Sequence, residues 1–323
     1  MNRRHFVATG VTGVAGAAMA GANPFIPPPE YPPGHYPPGY EPWTDPQHGL
    51  TEGSFTLDYA PHFGMFKHHA GDDLTSQIDF MSEVGFRSIE DNGMRSRSAS
   101  EQTRIAHALE RHNMRMGVFV MNMDGAWRPS LTTGTKDERS RFVQNARDSV
   151  EVAKRVGATW MTVVPGKVAE GIPEAVQTAN VVESLKQAAA VLEPHDLVMV
   201  CEPLNWRDHH GLFLRYTPQS IEIMDAVDSP SCKILQDLYH QQASEGNLID
   251  HMNAAWNHIP YFQVGDNPGR KEPGTGEINY KNVFKHMHEK GCEAIIGMEH
   301  GNSQDGREGE LAVIEAYRKV DPA

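Results

Sequence analysis

The chain of 323 residues has few cysteines and a shortage of positive charge. Lys and Arg number 29 against 42 Asp and Glu, which gives a formal net charge of -13 at pH 7. Nucleic acid and anionic lipid are bound mainly through basic side chains, so this balance argues against both and favours a small-molecule partner. The three cysteines, Cys201, Cys232 and Cys292, are too few and too far apart for a disulfide framework or a zinc-thiolate site. We expect them to be buried strand residues.

Long hydrophobic runs and glycine-rich phosphate loops are also missing. The apolar stretch near the N-terminus is short and rich in glycine, so stable membrane insertion is not expected. No G-x-G-x-x-G or G-K-[ST] loop follows the first predicted strand, which weighs against an open doubly wound sheet. With 39% hydrophobic and 22% charged residues, the composition is that of a globular protein able to bury a full core.

The first twenty residues have the pattern of an export signal. Arg3 and Arg4 precede a Gly/Ala-rich stretch that ends in A-M-A at 18–20. Such a pattern is typical of a twin-arginine signal peptide with its cleavage site, so residues 1–20 predict a periplasmic or otherwise exported protein. A chance basic start on a flexible tail is the alternative.

Proline dominates the next segment. Ten of the 22 prolines lie between positions 24 and 46, where they prevent regular helix or sheet hydrogen bonding. Residues 21–50 are therefore predicted to form a strap on the domain surface or a solvated linker. The remaining residues, 51–323, are long enough for one α/β barrel domain.

From about residue 54, short apolar runs alternate with longer amphipathic ones to the end of the chain. We count eight such pairs, which is the signature of a single-domain (β/α)8 TIM barrel. The predicted strands begin near residues 55, 86, 116, 159, 197, 232, 260 and 293. The predicted helices span about 73–84, 98–112, 136–156, 174–193, 218–227, 246–257, 279–290 and 308–319.

Four consecutive predicted strands each end in an oxygen ligand. These residues are Glu202, Asp237, Gln263 and Glu299. A single acid at a strand end is usually a helix cap or a solvated rim residue, but four in succession converge on one mouth of a barrel. Three carboxylates there would repel one another unless a cation lay between them. An all-oxygen set suits one hard divalent cation, Mn²⁺ or Mg²⁺, better than zinc.

The same segments resemble a known family. CEPLN at 201–205, DLYHQQASEGNL at 237–248, FQVGDNPGRKEPGTGEINY at 262–280 and GMEH at 297–300 look like the hydroxypyruvate isomerase family. That family belongs to the xylose isomerase-like TIM barrels, whose relatives include sugar 3-epimerases. The likeness is strong over about 196–300, weak before 160 and absent before 50.

The resemblance implies roles for seven residues. It makes Glu202, Asp237, Gln263 and Glu299 the metal ligands. The chemistry expected at such a site then makes Glu202 and Glu299 the catalytic acid and base. The resemblance also makes His240, Arg270 and Lys167 contacts to the substrate. Local structural roles remain open for these three, as a backbone cap, a partner of Glu272 and a surface lysine, respectively. The family often pairs barrels, so a homodimer is one option.

The implied reaction is a metal-dependent keto-aldo isomerisation or epimerisation of a small hydroxy-carbonyl compound through a cis-enediolate. Two alternatives stay open. The loops after the first three strands lack a family match and the chain is predicted to be exported, which favours a periplasmic epimerase or lyase of keto-sugars or 3-keto-glycosides. The other alternative is a sugar-binding barrel without catalysis. Which glutamate is the base depends on the substrate face presented.

Overall fold

The computed structural model describes residues 55–323. The predicted signal peptide, 1–20, and the Pro-rich segment, 21–50, lie outside the described residues. Within the described part of the chain, no helix is long and apolar enough to span a lipid bilayer.

Short parallel strands form the centre of the domain. They are β1 (Asp58–Ala60), β2 (Ser88–Ile89), β3 (Arg115–Met116), β4 (Phe119–Val120), β5 (Trp160–Val163), β6 (Val198–Cys201), β7 (Cys232–Asp237), β8 (Tyr261–Gln263) and β9 (Ile295–Gly297). Seven of them form a sheet in the order β1-β9-β8-β7-β6-β5-β4, and β2 pairs with β3. Every pair is parallel.

Loop hydrogen bonds close this sheet into the predicted barrel. The Glu90 amide donates to the Pro61 carbonyl at 3.1 Å, and the Asp91 amide donates to the Val118 carbonyl at 3.2 Å. The predicted third strand is split into β3 and β4 because its first residues pair with β2 and its last with β5. The split lies at Gly117, where an added Cβ would be 2.3 Å from the Tyr261 hydroxyl oxygen.

The helices surround the barrel. They are α1 (Lys67–Ala70), α2 (Leu74–Glu83), α3 (Ala99–Arg111), α4 (Met123–Ala126), α5 (Lys136–Val156), α6 (Glu174–Leu192), α7 (Thr217–Val227), α8 (Leu238–Ser244), α9 (Leu248–Ala255), α10 (Tyr280–Glu289) and α11 (Gly306–Val320). Eight of them match the predicted helices. The short helices α1, α4 and α8 were not predicted, and each follows a strand in a loop at the carboxyl end of the barrel.

Local sequence determines where the long helices begin and end. The side chains of Asp73, Ser98 and Thr135 accept hydrogen bonds from the first-turn amides of α2, α3 and α5. These are residue types that satisfy the free amides of a helix N-terminus. α5 ends at Val156 and is followed by Gly157, whose φ of 68° is left-handed, a conformation that glycine adopts without strain.

The apolar core has two parts. A large cluster lies between the strands and the helices, and a smaller one fills the barrel interior with side chains such as Val200, Leu235 and Ile295. Cys201 and Cys232 are buried in β6 and β7, as predicted. The prediction for Cys292 was wrong, because it lies partly exposed in the turn between α10 and β9.

Candidate active site

The barrel register brings the predicted acids to one level. Asp237 pairs with Gln263 across β7 and β8, and Gln263 pairs with Gly297 across β8 and β9. Glu202 follows the last residue of β6, and Glu299 lies just beyond the end of β9. One potential ligand atom from each of four residues lies within 4.8 Å of the others. These residues are Glu202, Asp237, His240 and Glu299.

Asp237 has a structural and a potential chemical role at once. It is the N-cap of α8, and its Oδ1 accepts a hydrogen bond from the Tyr239 amide at 2.8 Å. This contact orients the carboxylate so that Oδ2 faces the site, 3.2 Å from Nη2 of Arg270. The side chain is fully buried, so this position combines helix capping with a fixed oxygen donor.

Gln263 is held by a glutamate that the sequence analysis did not single out. Glu90, just after β2, accepts hydrogen bonds from Nε2 of Gln263 at 3.1 Å and from the Tyr261 hydroxyl at 3.1 Å. Oε1 of Gln263 is buried and has no hydrogen-bond partner. The space for Glu90 exists because residue 297 is glycine, where an added Cβ would lie 2.0 Å from Oε2 of Glu90.

Arg270 reaches the cluster from the loop after β8. Its Nη2 donates to Oε2 of Glu299 at 2.6 Å, and its Nε donates to the Glu299 carbonyl at 3.2 Å. The guanidinium lies 5.0 Å from the centre of the Tyr239 ring, a cation–π contact. The backbone φ of Arg270 is 51°, in the left-handed region. Glu272, the alternative partner for Arg270, instead accepts hydrogen bonds from Ser303, and Arg270 is directed at the acid cluster.

His240 is held in one tautomer by Asn205. The Asn205 amide oxygen accepts from the Asp208 amide at 2.9 Å, and its NH₂ donates to the Asp208 carboxylate at 3.2 Å. With that orientation, the same NH₂ donates to Nδ1 of His240 at 2.6 Å. Nδ1 is therefore an acceptor, and Nε2 carries the proton of the neutral ring.

The protonated Nε2 of His240 faces the acids. It lies 3.4 Å from Oδ2 of Asp237 and 3.8 Å from Oε1 of Glu202, and it is buried without a hydrogen-bond partner. Burial, reinforced by the charge of Arg270, lowers the pKa of His240 to about 3. A neutral ring with Nε2–H is a hydrogen-bond donor to an oxygen in the cavity and has no free lone pair there to bind a metal.

Exchanging Asn205 for a carboxylate tests this tautomer. In Asn205→Asp the new carboxylate can only accept a hydrogen bond, so the ring proton moves to Nδ1, which donates to it, and Nε2 becomes an acceptor facing the acids. We expect ¹⁵N imidazole spectra to move from the Nε2–H to the Nδ1–H pattern. Turnover should fall by roughly 10- to 100-fold, as for other outer contacts that orient a functional histidine.

A matched control exists on the protein surface. Asn253 makes a 3.0 Å contact with Nε2 of His286 between outer helices. Asn253→Asp should leave both turnover and the His240 signals unchanged. An Asn205→Asp variant that keeps the Nε2–H pattern at position 240 would contradict the assignment.

Burial and neighbouring negative charges disfavour the ionised form of the carboxylates in the site. Burial, followed by the charges of Glu299 and Asp237, raises the pKa of Glu202 well above its usual value. Burial and Glu299 do the same to Glu90, and burial raises the pKa of Asp237. Arg270 supplies one positive charge to this cluster. Burial alone would lower the Arg270 pKa, but Glu299 and Asp237 outweigh it and raise that pKa.

These residues fit a divalent cation. Oε1 of Glu202 and Oε1 of Gln263 are both buried acceptors without a hydrogen-bond donor, a costly condition that a cation would relieve. Carboxylate and amide oxygens are the ligands that Mg²⁺ and Mn²⁺ prefer. The structure thus brings three of the four predicted ligands together and places the fourth, Gln263, in register beside Asp237.

A cavity of about 160 Å³ opens above the cluster. Glu202, His240, Arg270 and Glu299 all contribute to its lining. Lys167 does not line it and lies in the loop after β5, where its backbone pairs with Leu212.

The comparisons with known proteins agree on the fold. A family model described as "Xylose isomerase-like TIM barrel" matches residues 78–320. Hydroxypyruvate isomerase of Escherichia coli (strain K12) is 29% identical over 252 residues, which cover 76% of this chain and 94% of the relative.

Two solved structures have the same fold. One is an AP endonuclease, family 2, from Brucella melitensis, with a TM-score of 0.69, 22% identity and coverage of 81% of this chain and 99% of that one. The other is a 3-keto-D-glucoside 4-epimerase from E. coli, with a TM-score of 0.67, 14% identity and coverage of 82% and 98%.

Proposed function

This chain belongs to the family of xylose isomerase-like TIM barrels, and we propose that it is a divalent-metal-dependent isomerase or epimerase of a hydroxy-carbonyl compound. Its similarity to hydroxypyruvate isomerases supports the broader assignment as an isomerase or epimerase. One observation carries the finer proposal. Three carboxylates converge within 4.8 Å, and buried acceptor oxygens of Glu202 and Gln263 lack donors.

The proposed reaction moves a proton at a carbon next to a carbonyl. Glu202, Asp237, Gln263 and Glu299 would hold one Mn²⁺ or Mg²⁺. When bound, the ion would act as a Lewis acid and a template for the carbonyl and neighbouring hydroxyl oxygens of the substrate. Such a site lowers the energy of the negative charge that develops when the C–H proton leaves.

The residues of the chain perform the proton transfers. One of Glu202 and Glu299 removes the proton from carbon and the other returns one, to the neighbouring carbon in an isomerase or to the opposite face of the same carbon in an epimerase. Burial, followed by the charges of Glu299 and Asp237, raises the pKa of Glu202, and perturbed carboxyls of this kind are common among catalytic acids and bases. Arg270 and the Nε2–H of His240 donate hydrogen bonds to substrate oxygens and fix which carbon faces the glutamates.

We also propose, from residues 1–20 alone, that the protein acts outside the cytoplasm. Keto-sugars and 3-keto-glycosides would then be natural candidates beside small hydroxy-carbonyl acids. The same proton abstraction supports epimerisation or elimination of a group β to the carbonyl.

Proton exchange with solvent tests the reaction class directly. The purified protein is stripped with a chelator and incubated in D₂O with hydroxypyruvate, ketoses and 3-keto-glycosides, and deuterium incorporation is followed by NMR. We expect incorporation with at least one substrate after Mn²⁺ or Mg²⁺ is restored, and none without metal. Absence of incorporation across the panel, in protein that still binds Mn²⁺, would favour a non-catalytic sugar-binding barrel.

A further inference from the structure

The cavity has two chemically different walls. One wall carries the acid cluster, His240 and Arg270. The second is mainly apolar: alongside Asn92 and Thr162, the lining includes Val120, Met123, Ala126, Trp127, Val164 and Leu204. A three-carbon hydroxy-carbonyl acid is polar along its whole length and would need only the first wall. The second wall calls for a ligand with an apolar face as well.

The apolar wall continues into solvent at the cavity mouth. Met123 is 49% exposed and Trp127 is 47% exposed, and among the large hydrophobic side chains of residues 55–323 only Val176, at 48%, is exposed to a similar degree. Both belong to one short element, with Met123 opening α4 and Trp127 capping its C-terminus. Large apolar side chains exposed together beside a cavity usually mark a binding surface.

The element that presents Trp127 is anchored firmly. The buried side chain of Asn122 donates to the Val164 carbonyl at 2.8 Å and accepts from the Val164 amide at 3.2 Å. The Ser130 hydroxyl bonds the Gly125 carbonyl at 2.8 Å from the other end of the same turn. Asn122 before α4 is therefore fixed to the barrel at Val164, and Ser130 after it also donates to the Pro165 carbonyl at 3.2 Å, so both ends of the turn that carries Trp127 are anchored.

Trp127 also has a partner that orients its ring. The His209 ring lies 5.1 Å away at an interplanar angle of 34°, and His209 lines the same cavity. Burial and the charge of Arg270 lower the pKa of His209, which favours a neutral ring. The pair forms an uncharged aromatic edge between the polar wall and solvent.

A second exposed tryptophan gives a useful contrast. Trp206 is 37% exposed, but its indole N–H donates to the Leu212 carbonyl at 2.6 Å, and the Arg215 guanidinium lies over its ring at 3.8 Å. Trp206 does not line the cavity. Local contacts therefore account for the position of the Trp206 ring. Trp127, in contrast, lines the cavity of the candidate active site.

We infer that Trp127, with Met123 and His209 beside it, is a subsite for the apolar face of a sugar ring, so that the substrate is a cyclic keto-sugar or keto-glycoside. The axial C–H bonds of a pyranose make one face of the ring apolar, and aromatic side chains stack on such faces while hydroxyl groups remain hydrated at the edge. The carbonyl and its neighbouring hydroxyl would then reach the acid cluster. This inference rests on the proposed function for the reacting end of the substrate.

Two variants and two kinds of substrate test the subsite. Deuterium exchange is measured with a 3-keto-glucoside and with hydroxypyruvate for the wild type, Trp127→Ala and the control Trp206→Ala. We expect Trp127→Ala to raise KM for the 3-keto-glucoside on the order of 10-fold, with kcat little changed. Its effect on hydroxypyruvate should be much smaller, and Trp206→Ala should change neither. Equal effects of Trp127→Ala on the two substrates, or none on the 3-keto-glucoside, would overturn the inference.

A binding measurement separates this inference from the reaction itself. Saturation-transfer NMR with methyl β-glucoside, which has no carbonyl and cannot react, should show transfer to the ring C–H protons in the wild type and in Trp206→Ala. Trp127→Ala should lose that transfer. Transfer that depends on Trp127 in a protein without exchange activity would support the subsite and contradict the reaction; exchange without ring transfer would do the reverse.

Discussion

Glu299→Gln is expected to reduce substrate proton exchange by roughly 10²- to 10⁴-fold, the range that general acid–base groups contribute. The side chain is 24% exposed and lines the cavity, so it can meet a substrate carbon. Asn92 and Arg270 each bond one of its oxygens, at 2.9 Å and 2.6 Å. Glutamine keeps the size of the side chain but cannot accept a proton, so chemistry should fail while the fold persists.

Exchange in D₂O and steady-state turnover measure this effect on the responding substrate. The matched control is Glu315→Gln on the outer face of α11. This side chain is exposed and does not lie at the end of a strand. It should retain wild-type rates. If Glu299→Gln also retained them with Mn²⁺ bound, Glu299 would not be part of the proton-transfer pair.

Mn²⁺ should stabilise the chelator-stripped protein strongly. A ligand that binds only the folded state at 100 times its Kd contributes about 2.7 kcal/mol, which for a domain of this size raises Tm by roughly 5 to 10 °C. The physical source is the set of converging carboxylates and orphaned acceptors at Glu202 and Gln263. Thermal unfolding with and without Mn²⁺ measures the shift without any need for substrate.

Asp237→Asn should remove most of this stabilisation. Asparagine caps a helix as well as aspartate does, so α8 should keep its N-terminal contact with the Tyr239 amide. The lost stabilisation by Mn²⁺ would then come from the missing negative charge of Asp237. Asp72→Asn, at an exposed position before α2, is the control and should keep the full shift. An equal Mn²⁺ effect in Asp237→Asn would place the ion elsewhere.

The same cluster gives the metal effect a pH dependence. The pKa of Glu202 and that of Asp237 are raised in the folded state, chiefly by burial. A carboxyl with a raised folded pKa stabilises the fold while protonated, and that contribution is lost as pH rises through the folded pKa. Metal-free protein should therefore lose stability as pH rises from the ordinary pKa of a carboxyl to the raised pKa values of Glu202 and Asp237. The Mn²⁺ shift should grow over the same range, because the ion competes with protons.

The sequence predicted the barrel well because each strand and helix carries its own periodic signal. The break in the third strand was not predicted. The strand pairs with β2 before Gly117 and with β5 after it. Gly117 lies against Tyr261 of β8, and a break that depends on a residue so distant in sequence leaves no local pattern. The short helices α1, α4 and α8 are too brief to show a helical period. They are held by contacts such as Asp237 with the Tyr239 amide.

The sequence was sufficient to predict which acids at the strand ends form the candidate site, with one omission. The rule that found Glu202, Asp237 and Glu299 also applies to Glu90, an acid at the end of the second predicted strand, and its signal was present in FRSIE. The tautomer of His240 could not be read from sequence, because it depends on how Asn205 is oriented by Asp208. The contact of Lys167 with the substrate stays a prediction, and Lys167 is not among the residues that line the cavity.

Arg270 combines a strained backbone with the positive charge that pairs with the acid cluster. Other non-glycine residues with left-handed backbones in the described chain are Asn or Asp, which tolerate that conformation, whereas Arg270 is a long side chain held there. Arg270→Gly would relax the backbone and remove the cation that faces the acids. Because that cation pairs with Asp237 and Glu299, its loss would leave buried negative charge without a partner and would outweigh the relaxed backbone, so a directed-evolution screen for heat resistance should retain this arginine as firmly as a screen for turnover.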